Sequence, residues 1–142
     1  MDKLCYFYPT GHEMHFAAGN PERPARIEAI QQRLHELGLW QDFPKLPPVA
    51  LSQSLLEHIH SPELLAMLNS ADGSRSQIDS DTYLTAHSWP LALNAAGGAA
   101  AVAYSVFNQE SAKGFALSRP PGHHATPYHA MGFCLLSNIA LA

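Results

Sequence analysis

Residues 113–125 read KGFALSRPPGHHA. The apolar part of this stretch, over residues 113–118, predicts a short strand buried within a sheet. The two prolines and the glycine that follow end the strand abruptly and fix the backbone of a loop. That loop presents two adjacent imidazoles, His123 and His124. Because open parallel α/β sheets place their sites in loops that follow buried strands, we expect a functional site here.

Other predicted elements surround this strand and loop. An aromatic run at residues 4–8 predicts a first buried strand. Apolar spacing and capping residues predict helices over 24–37, 62–68, 88–108 and 133–142, with a short helical turn at 55–59. The Ser-, Gly- and Asp-rich residues 71–80 predict a surface loop. The order of strands and helices indicates one domain of the α/β class.

The composition excludes several classes of protein. The 142 residues include 46% hydrophobic and 14% charged residues, which suits a compact domain and excludes a disordered chain. The net charge is -4 and the basic residues are scattered, so we expect no nucleic-acid partner. The 9 histidines are unusual, because histidine is the commonest metal ligand and titrates near neutrality. The composition thus favours a protein with a chemical site.

Cysteine usage and the N-terminal sequence favour a cytoplasmic protein. Cys5 and Cys134 lie far apart and form no CxxC pair, which argues against a disulfide scaffold and a structural zinc site. The N-terminus lacks the basic start and long apolar run of a signal peptide. The apolar stretch at 92–106 is interrupted by Asn94, Gly97 and Gly98, and it is shorter than a membrane span of about 20 residues. We therefore expect no membrane partner.

The tandem histidines are the strongest candidates for catalysis. Paired histidines can serve as general base, general acid and electrostatic stabiliser of a reacting group. The structural alternative is that one imidazole fills a gap in the core while the other is solvated. The rigid loop after a buried strand favours the catalytic interpretation of His123 and His124.

Five ordered segments of the chain resemble one protein family. The RPPGHHA motif at residues 119–125 resembles that of the zinc-dependent histone deacetylase superfamily. NPERP with RI and AI at 20–30 resembles a segment of its class II and bacterial amidohydrolase branch, which includes acetylpolyamine amidohydrolases. The other matching segments are HSPE at 60–63, DSDT at 79–82 ahead of AAGG at 95–98, and MGFC at 131–134. Asn20 and Ser137 depart from the family pattern, which has His and Asn there. The resemblance implies the N-terminal portion of an arginase/deacetylase-type three-layer α/β/α sandwich with a parallel sheet.

The resemblance also implies a reaction. Members of this family hydrolyse acetyl-lysine or acetylated polyamines with a water activated by zinc. His124 would then be the general base and acid, and His123 would be the electrostatic partner beside the acetyl carbonyl. Amide hydrolysis needs a nucleophilic water and a group that carries protons to the leaving amine, and a histidine in a preset loop suits the second task.

Three further residues would bind the substrate by the same resemblance. Phe133 would form one wall of a narrow channel for the acetylated amine chain, and Gly132 would line that channel through its backbone. Asp81, with Asp79 as the alternative, would lie on the rim and bind the substrate backbone. An aromatic wall suits the methylene stem of a neutral acetyl-lysine, whereas the structural alternative for Phe133 is an ordinary core aromatic residue at the start of a helix.

In this family the zinc ligands, an Asp-x-His pair and a further Asp, follow the GFC segment at a distance that lies beyond Ala142. We therefore interpret residues 1–142 as a partial histone deacetylase-like domain that lacks the metal ligands. His12 and His15 form an HxxH pair, but an irregular loop is a poor setting for a metal site. We expect the chain alone to bind no zinc stably and to be inactive, with a separately encoded C-terminal remainder as a candidate partner.

Two other functions are compatible with the same residues. A non-catalytic module could use the Phe133 wall and the Asp81 rim to bind acetylated amines without hydrolysing them. A Cys-His hydrolase would use Cys134 with His123 or His124. The apolar surroundings of Cys134 instead favour an inert buried thiol.

Overall fold

The computed structural model describes residues 4–70 and 76–142. In chain order the elements are β1 (Leu4–Phe7), a 3-10 turn (His12–Met14), α1 (Ala25–Glu36), α2 (Gln53–Ile59), α3 (Pro62–Asn69), β2 (Ser76–Gln77), β3 (Tyr83–Leu84), α4 (Ser88–Phe107), β4 (Lys113–Ala116) and α5 (Asn138–Leu141). The predicted strands and most of the predicted helices are present. Residues 71–75 of the predicted surface loop lie outside the described residues. The remainder of that loop is not entirely irregular, since Ser76–Gln77 pairs with β3 as an antiparallel strand.

A parallel pair of strands forms the centre of the fold. β1 pairs with β4 in parallel, in a register that runs from Leu4 opposite Lys113 to Phe7 opposite Ala116. On the other side of β1 the chain at Pro44 and Leu46 bonds to both backbone groups of Tyr6, at 3.0 and 2.8 Å. A parallel pair joined through helices is the arrangement expected for the α/β class. The fold class is confirmed.

α4 packs on this pair through its small residues. A Cβ atom placed on Gly98 would lie 2.3 Å from the ring of Phe7, and one on Gly97 would lie 2.2 Å from the carbonyl oxygen of Val49. The helix is long and apolar enough to cross a membrane by length and composition, but half of its most apolar window is buried in the fold. Its glycines are therefore needed for the close approach of helix and sheet.

β4 is less buried than the sequence predicts. Residues Lys113 to Phe115 are exposed, and the Phe115 side chain is 56% exposed. The expectation of a strand enclosed by a sheet is therefore wrong for the described part of the chain. The physical reason is that, among the described residues, β4 pairs with β1 alone and packs mainly against α4.

The last predicted helix is also shorter than expected. Helical structure is confined to Asn138–Leu141, and residues 133–137 are not helical. Gly132 and Phe133 both have left-handed backbone angles, with φ of 57° and 66°. The amides of Met131 and Cys134 each donate to the carbonyl oxygen of the other, which closes a tight turn. Two consecutive left-handed residues cannot continue into a right-handed helix, so the helix begins later.

The helix ends follow the predicted capping residues. The Ser61 hydroxyl accepts a hydrogen bond from the amide of Leu64 at 3.2 Å, with Pro62 as the first residue of α3. α1 ends one residue before Leu37, and Gly38 follows with a φ of 73°. Local sequence therefore determines these ends.

Candidate active site

The tandem histidines lie side by side on the surface of the loop that follows β4. Both side chains are exposed, and their ring centroids are 4.3 Å apart with the planes inclined at 51°. They line a cavity of about 260 Å³ together with Glu22, Gly132 and Phe133. The structure thus brings both predicted catalytic residues to one cavity with two of the predicted substrate-binding residues.

The Cys134 thiol holds the backbone of the histidine pair from behind. The amides of His123 and His124 both donate to Cys134 Sγ at 3.4 Å, and the thiol donates to the carbonyl oxygen of Gly132 at 3.3 Å. Cys134 is fully buried. Its sulfur contacts main-chain groups, which favours a structural role over that of a nucleophile.

Gly132 permits the close contact between the turn and His124. A Cβ atom on Gly132 would lie 2.8 Å from two ring atoms of His124, and its φ of 57° also favours glycine. The backbone of Gly132 therefore lies directly against the imidazole that we expect to carry protons.

Phe133 connects the histidine cavity to a second cavity. It lines both the cavity beside His124 and a neighbouring one of about 370 Å³, which Asp81 also lines. The Phe133 amide donates to Thr82 Oγ1 at 3.0 Å, and that hydroxyl donates to Asp81 Oδ1 at 2.7 Å. The predicted rim and channel residues are thus joined through Thr82, which is buried.

The two candidate rim carboxylates have different surroundings. Asp79 Oδ1 accepts from the amides of Asp81 and Thr82, at 3.0 and 2.7 Å, and so closes a turn. Burial raises the pKa of Asp79, but these hydrogen bonds outweigh it and the pKa is lowered. Asn20, which stands where the family pattern has His, donates to the backbone oxygen of Asp81 at 3.0 Å. Asp79 therefore supports the turn that presents Asp81, which favours Asp81 as the rim residue.

Arg119 is a site residue whose role the sequence analysis missed. It is fully buried, and its guanidinium donates to the carbonyl oxygens of His12, His15 and Glu22. Its Nε also lies 3.0 Å from Glu22 Oε1. Burial raises the pKa of Glu22 although Arg119 and Arg26 oppose this. Arg119 thus holds the start of the histidine loop against residues 12–22. Its place directly after the predicted strand at 113–118 was the available signal in the sequence.

His60 bonds to two residues of the segment that follows the tandem histidines. Its Nδ1 lies 3.1 Å from the carbonyl oxygen of Thr126, and its Nε2 accepts from the amide of Ser137 at 3.0 Å. These partners require a neutral ring with the proton on Nδ1. Burial lowers the pKa of His60, although the Thr126 contact opposes this. The HSPE motif therefore supplies a structural histidine.

The HxxH histidines are also part of the packing. The His15 ring stacks on Tyr83 at 4.4 Å, and its Nδ1 lies 2.8 Å from the Ser88 hydroxyl. Burial, and then the charge of Arg119, lower the pKa of His15 to about 3. His12 is buried near Tyr8.

The described ranges 4–70 and 76–142 contain no group of three or more His, Cys, Asp and Glu side chains placed to hold a metal ion. The cavity itself offers the rings of His123 and His124 and the carboxylate of Glu22. Glu22 is already paired with Arg119. These residues do not by themselves fit the ligand set that zinc requires.

Comparison with known proteins identifies relatives that are deacetylases. A probable deacetylase of Archaeoglobus fulgidus is 36% identical over 124 residues, which cover 86% of this chain and 34% of that protein. Histone deacetylase 15 of Arabidopsis thaliana is 40% identical over 131 residues, which cover 89% of this chain and 23% of the relative. A histone deacetylase-like amidohydrolase of Pseudomonas aeruginosa is 32% identical, over 99% of this chain and 40% of that protein. The chain thus spans well under half the length of these relatives.

A solved structure and a domain match agree with these relatives. The crystal structure of the HDA15 HD domain superposes with a TM-score of 0.87 at 32% identity, over 99% of this chain and 42% of that one. The sequence pattern of the histone deacetylase domain matches residues 20–142. The resemblance and the partial α/β deacetylase fold are both confirmed. The chain belongs to the histone deacetylase family.

Proposed function

We propose that this chain is the N-terminal part of a cytoplasmic, zinc-dependent deacetylase that hydrolyses the amides of acetyl-lysine or acetylated polyamines. The observation that carries the proposal is the shared cavity, in which two exposed imidazoles lie beside Phe133 and Gly132. Membership of the histone deacetylase family supports the same reaction. No membrane or nucleic-acid partner is part of the proposal.

His124 takes the proton-transfer role in this proposal. As general base it accepts a proton from the attacking water, and as general acid it returns that proton to the leaving amine. The bonds from the loop amides to Cys134 hold the backbone that carries the ring. His123 acts as the electrostatic partner beside the acetyl carbonyl.

Phe133, Gly132 and Asp81 bind the substrate in this proposal. The Phe133 ring packs on the apolar stem of the acetylated amine, and the Gly132 backbone lines the channel next to His124. Asp81 accepts hydrogen bonds from the substrate backbone at the rim. The position of Phe133 between the two cavities supports this division, because the stem and the backbone of a bound acetyl-lysine would occupy adjacent spaces.

In this proposal the zinc ligands belong to the remaining part of the deacetylase domain. The described residues lack a complete ligand set, so we expect residues 1–142 alone to be inactive. The whole deacetylase would need ligands supplied by the remaining part of the domain.

The test compares the chain alone with a fusion to the remaining part of the Archaeoglobus fulgidus deacetylase. Acetyl-lysine peptide and acetylputrescine serve as substrates, with and without a zinc chelator. We expect no turnover by residues 1–142, and zinc-dependent turnover by the fusion that His124→Ala reduces at least 100-fold. Hydroxamate-sensitive turnover by the chain alone would contradict the proposal, as would full activity of the His124→Ala fusion.

A non-catalytic acetyl-amine-binding module is the second candidate. The channel and rim residues are present in the described chain without a complete metal site, which favours a test for binding alone. Calorimetry of residues 1–142 with acetyl-lysine and acetylputrescine in zinc-free buffer discriminates the two. Measurable binding by the chain alone would support the module.

A further inference from the structure

Asn20 departs from the family pattern, and the proposed function leaves it without a role. It lines the cavity of about 370 Å³ that Asp81 also lines. Both ends of its carboxamide bond to backbone groups. Oδ1 accepts from the amide of Glu22 at 2.9 Å, and Nδ2 donates to the carbonyl oxygen of Asp81 at 3.0 Å. Asn20 therefore joins the segment at 17–22 to the turn at 79–82, which we call the rim turn.

The segment that carries Asn20 is fixed to the interior of the protein. The Asn20 amide donates to the carbonyl oxygen of buried Ala17 at 3.1 Å, and the turn between them passes through Gly19, whose φ is 79°. Glu22 is also buried, and its carboxylate lies 3.0 Å from Arg119 Nε. Because Arg119 begins the histidine loop, the Asn20 side chain connects the rim turn to that loop by way of Glu22.

The bond from Asn20 completes the support of Asp81. The Asp81 amide donates to Asp79 Oδ1 at 3.0 Å, and Asp81 Oδ1 accepts from Thr82 Oγ1 at 2.7 Å. These two bonds lie within the rim turn and determine its shape. The Phe133 amide, which donates to Thr82, joins the turn to the channel wall. The bond from Asn20 joins it to the segment that also holds the histidine loop, so it fixes where the Asp81 carboxylate lies relative to the tandem histidines.

A rim carboxylate in a fixed position favours one class of substrate. In an acetyl-lysine peptide, the backbone N–H groups lie at the end of the side chain that is remote from the acetyl group. Acetylputrescine has a flexible ammonium group there and no peptide backbone. A hydrogen bond from a peptide N–H requires a defined distance and angle, and a receptor that already has that geometry loses less free energy on binding.

We propose that Asn20 is a positioning residue that holds Asp81 at the distance from the tandem histidines that an acetyl-lysine peptide requires. The bond from Asn20 thereby favours acetylated peptides over acetylated polyamines. The proposal rests on the proposed function, and adds to it a residue that determines the class of substrate.

The test substitutes Asn20 in the fusion to the remaining part of the Archaeoglobus fulgidus deacetylase. Asn20→Asp keeps the acceptor for the Glu22 amide and removes the donor to Asp81, whereas Asn20→Ala removes both without adding a charge. Each variant should raise the KM for acetyl-lysine peptide about fivefold, which corresponds to the loss of one hydrogen bond. The kcat should stay within about twofold, because the bond acts on substrate binding. The KM for acetylputrescine should also stay within about twofold.

Asn108→Asp is the matched control for the added charge. Asn108 is exposed directly after α4, whereas the histidine loop follows the opposite end of β4. This variant should leave the KM for both substrates unchanged. Urea denaturation of residues 1–142 with each substitution checks that the variants remain folded under the assay conditions.

A double-mutant cycle asks whether Asn20 acts through Asp81. In an Asp81→Ala fusion, Asn20→Ala should leave the peptide KM unchanged, because no carboxylate remains to be positioned. A general structural role of Asn20 would instead raise the KM by the same factor in both backgrounds.

Three results would overturn the positioning role. They are equal changes in KM for the peptide and acetylputrescine, a loss confined to kcat, and an undiminished effect of Asn20→Ala in the Asp81→Ala fusion. The proposed function fails in a different way. A fusion with Asn20 unchanged that hydrolyses neither substrate rejects the reaction and the substrate preference together, whereas turnover of both substrates that the Asn20 variants leave unaltered rejects the positioning role alone.

Discussion

Single buried polar residues hold the backbone of the candidate site. Arg119 binds three carbonyl oxygens of residues 12–22, and His60 joins Thr126 to Ser137. Removing one partner of a buried hydrogen bond leaves the other unsatisfied, which costs more than the bond itself contributes. The exposed histidines therefore lie in a segment whose backbone is held by buried residues outside the cavity.

Thr82 gives a direct test of this principle. Thr82→Val should lower the free energy of unfolding by about 1–3 kcal/mol, because it leaves the partly buried amide of Phe133 without its acceptor. Thr82→Ser, which keeps the hydroxyl and loses a methyl group, should cost about 1 kcal/mol. Urea denaturation followed by circular dichroism measures both. A Thr82→Val variant as stable as the unchanged protein would show that this hydrogen bond contributes little.

The low pKa of His15 predicts how the free energy of unfolding depends on pH. Its pKa falls from the ordinary 6.5 to about 3 on folding, because the ring is buried beside Arg119. Below pH 6.5 the unfolded chain therefore binds a proton that the folded chain does not. As the pH falls from 6.5 toward 3, this residue lowers the free energy of unfolding by about 1.4 kcal/mol per pH unit.

The control for this pH dependence is His15→Phe. Phenylalanine can still stack on Tyr83 but does not titrate, and the Ser88 hydroxyl keeps the Thr85 amide as a donor at 2.7 Å. Urea denaturation of both proteins from pH 7 to pH 4 should show a shallower slope for the variant. Identical slopes would rule out His15 as a source of the pH dependence.

At the scale of elements, the sequence predicts which helices and strands occur better than it predicts where each one begins. The capped and periodic helices α1, α3 and α4 and both central strands occur where predicted. The helix predicted over 133–142 begins late because Phe133 takes a left-handed backbone angle in a turn closed by Met131 and Cys134. Apolar periodicity carries no signal for that backbone reversal.

The packing of α4 on β1 predicts whether one substitution stabilises or destabilises the protein. Gly98→Ala improves helix propensity by about 1 kcal/mol, but it places a Cβ atom 2.3 Å from the Phe7 ring. The cost of overpacking, about 1–3 kcal/mol, should exceed this gain, so the variant should be less stable in urea denaturation. Ala99→Gly, at the neighbouring position of α4, should lose only the about 1 kcal/mol of propensity. Stabilisation by Gly98→Ala would contradict the close helix–strand contact.

At the scale of the whole molecule, β4 should be protected on one side only. In residues 1–142 alone, the amide of Ala116 should exchange with solvent much faster than that of Leu117, which donates to Phe7. Hydrogen exchange followed by NMR measures both amides. Equal protection of the two amides in the chain alone would mean that the edge of β4 is already covered.

The sequence by itself determined the two central strands, the capped helices, the tandem histidines and the family resemblance. Each of these depends on residues close together in the chain, through spacing, capping and a motif. Only the tertiary structure decided that Arg119 holds residues 12–22, that Thr82 joins Asp81 to Phe133, and that Cys134 lies behind the histidine loop. These contacts join residues that are far apart in sequence or depend on a backbone reversal. Their energy depends on burial and geometry, which residue identity alone does not specify.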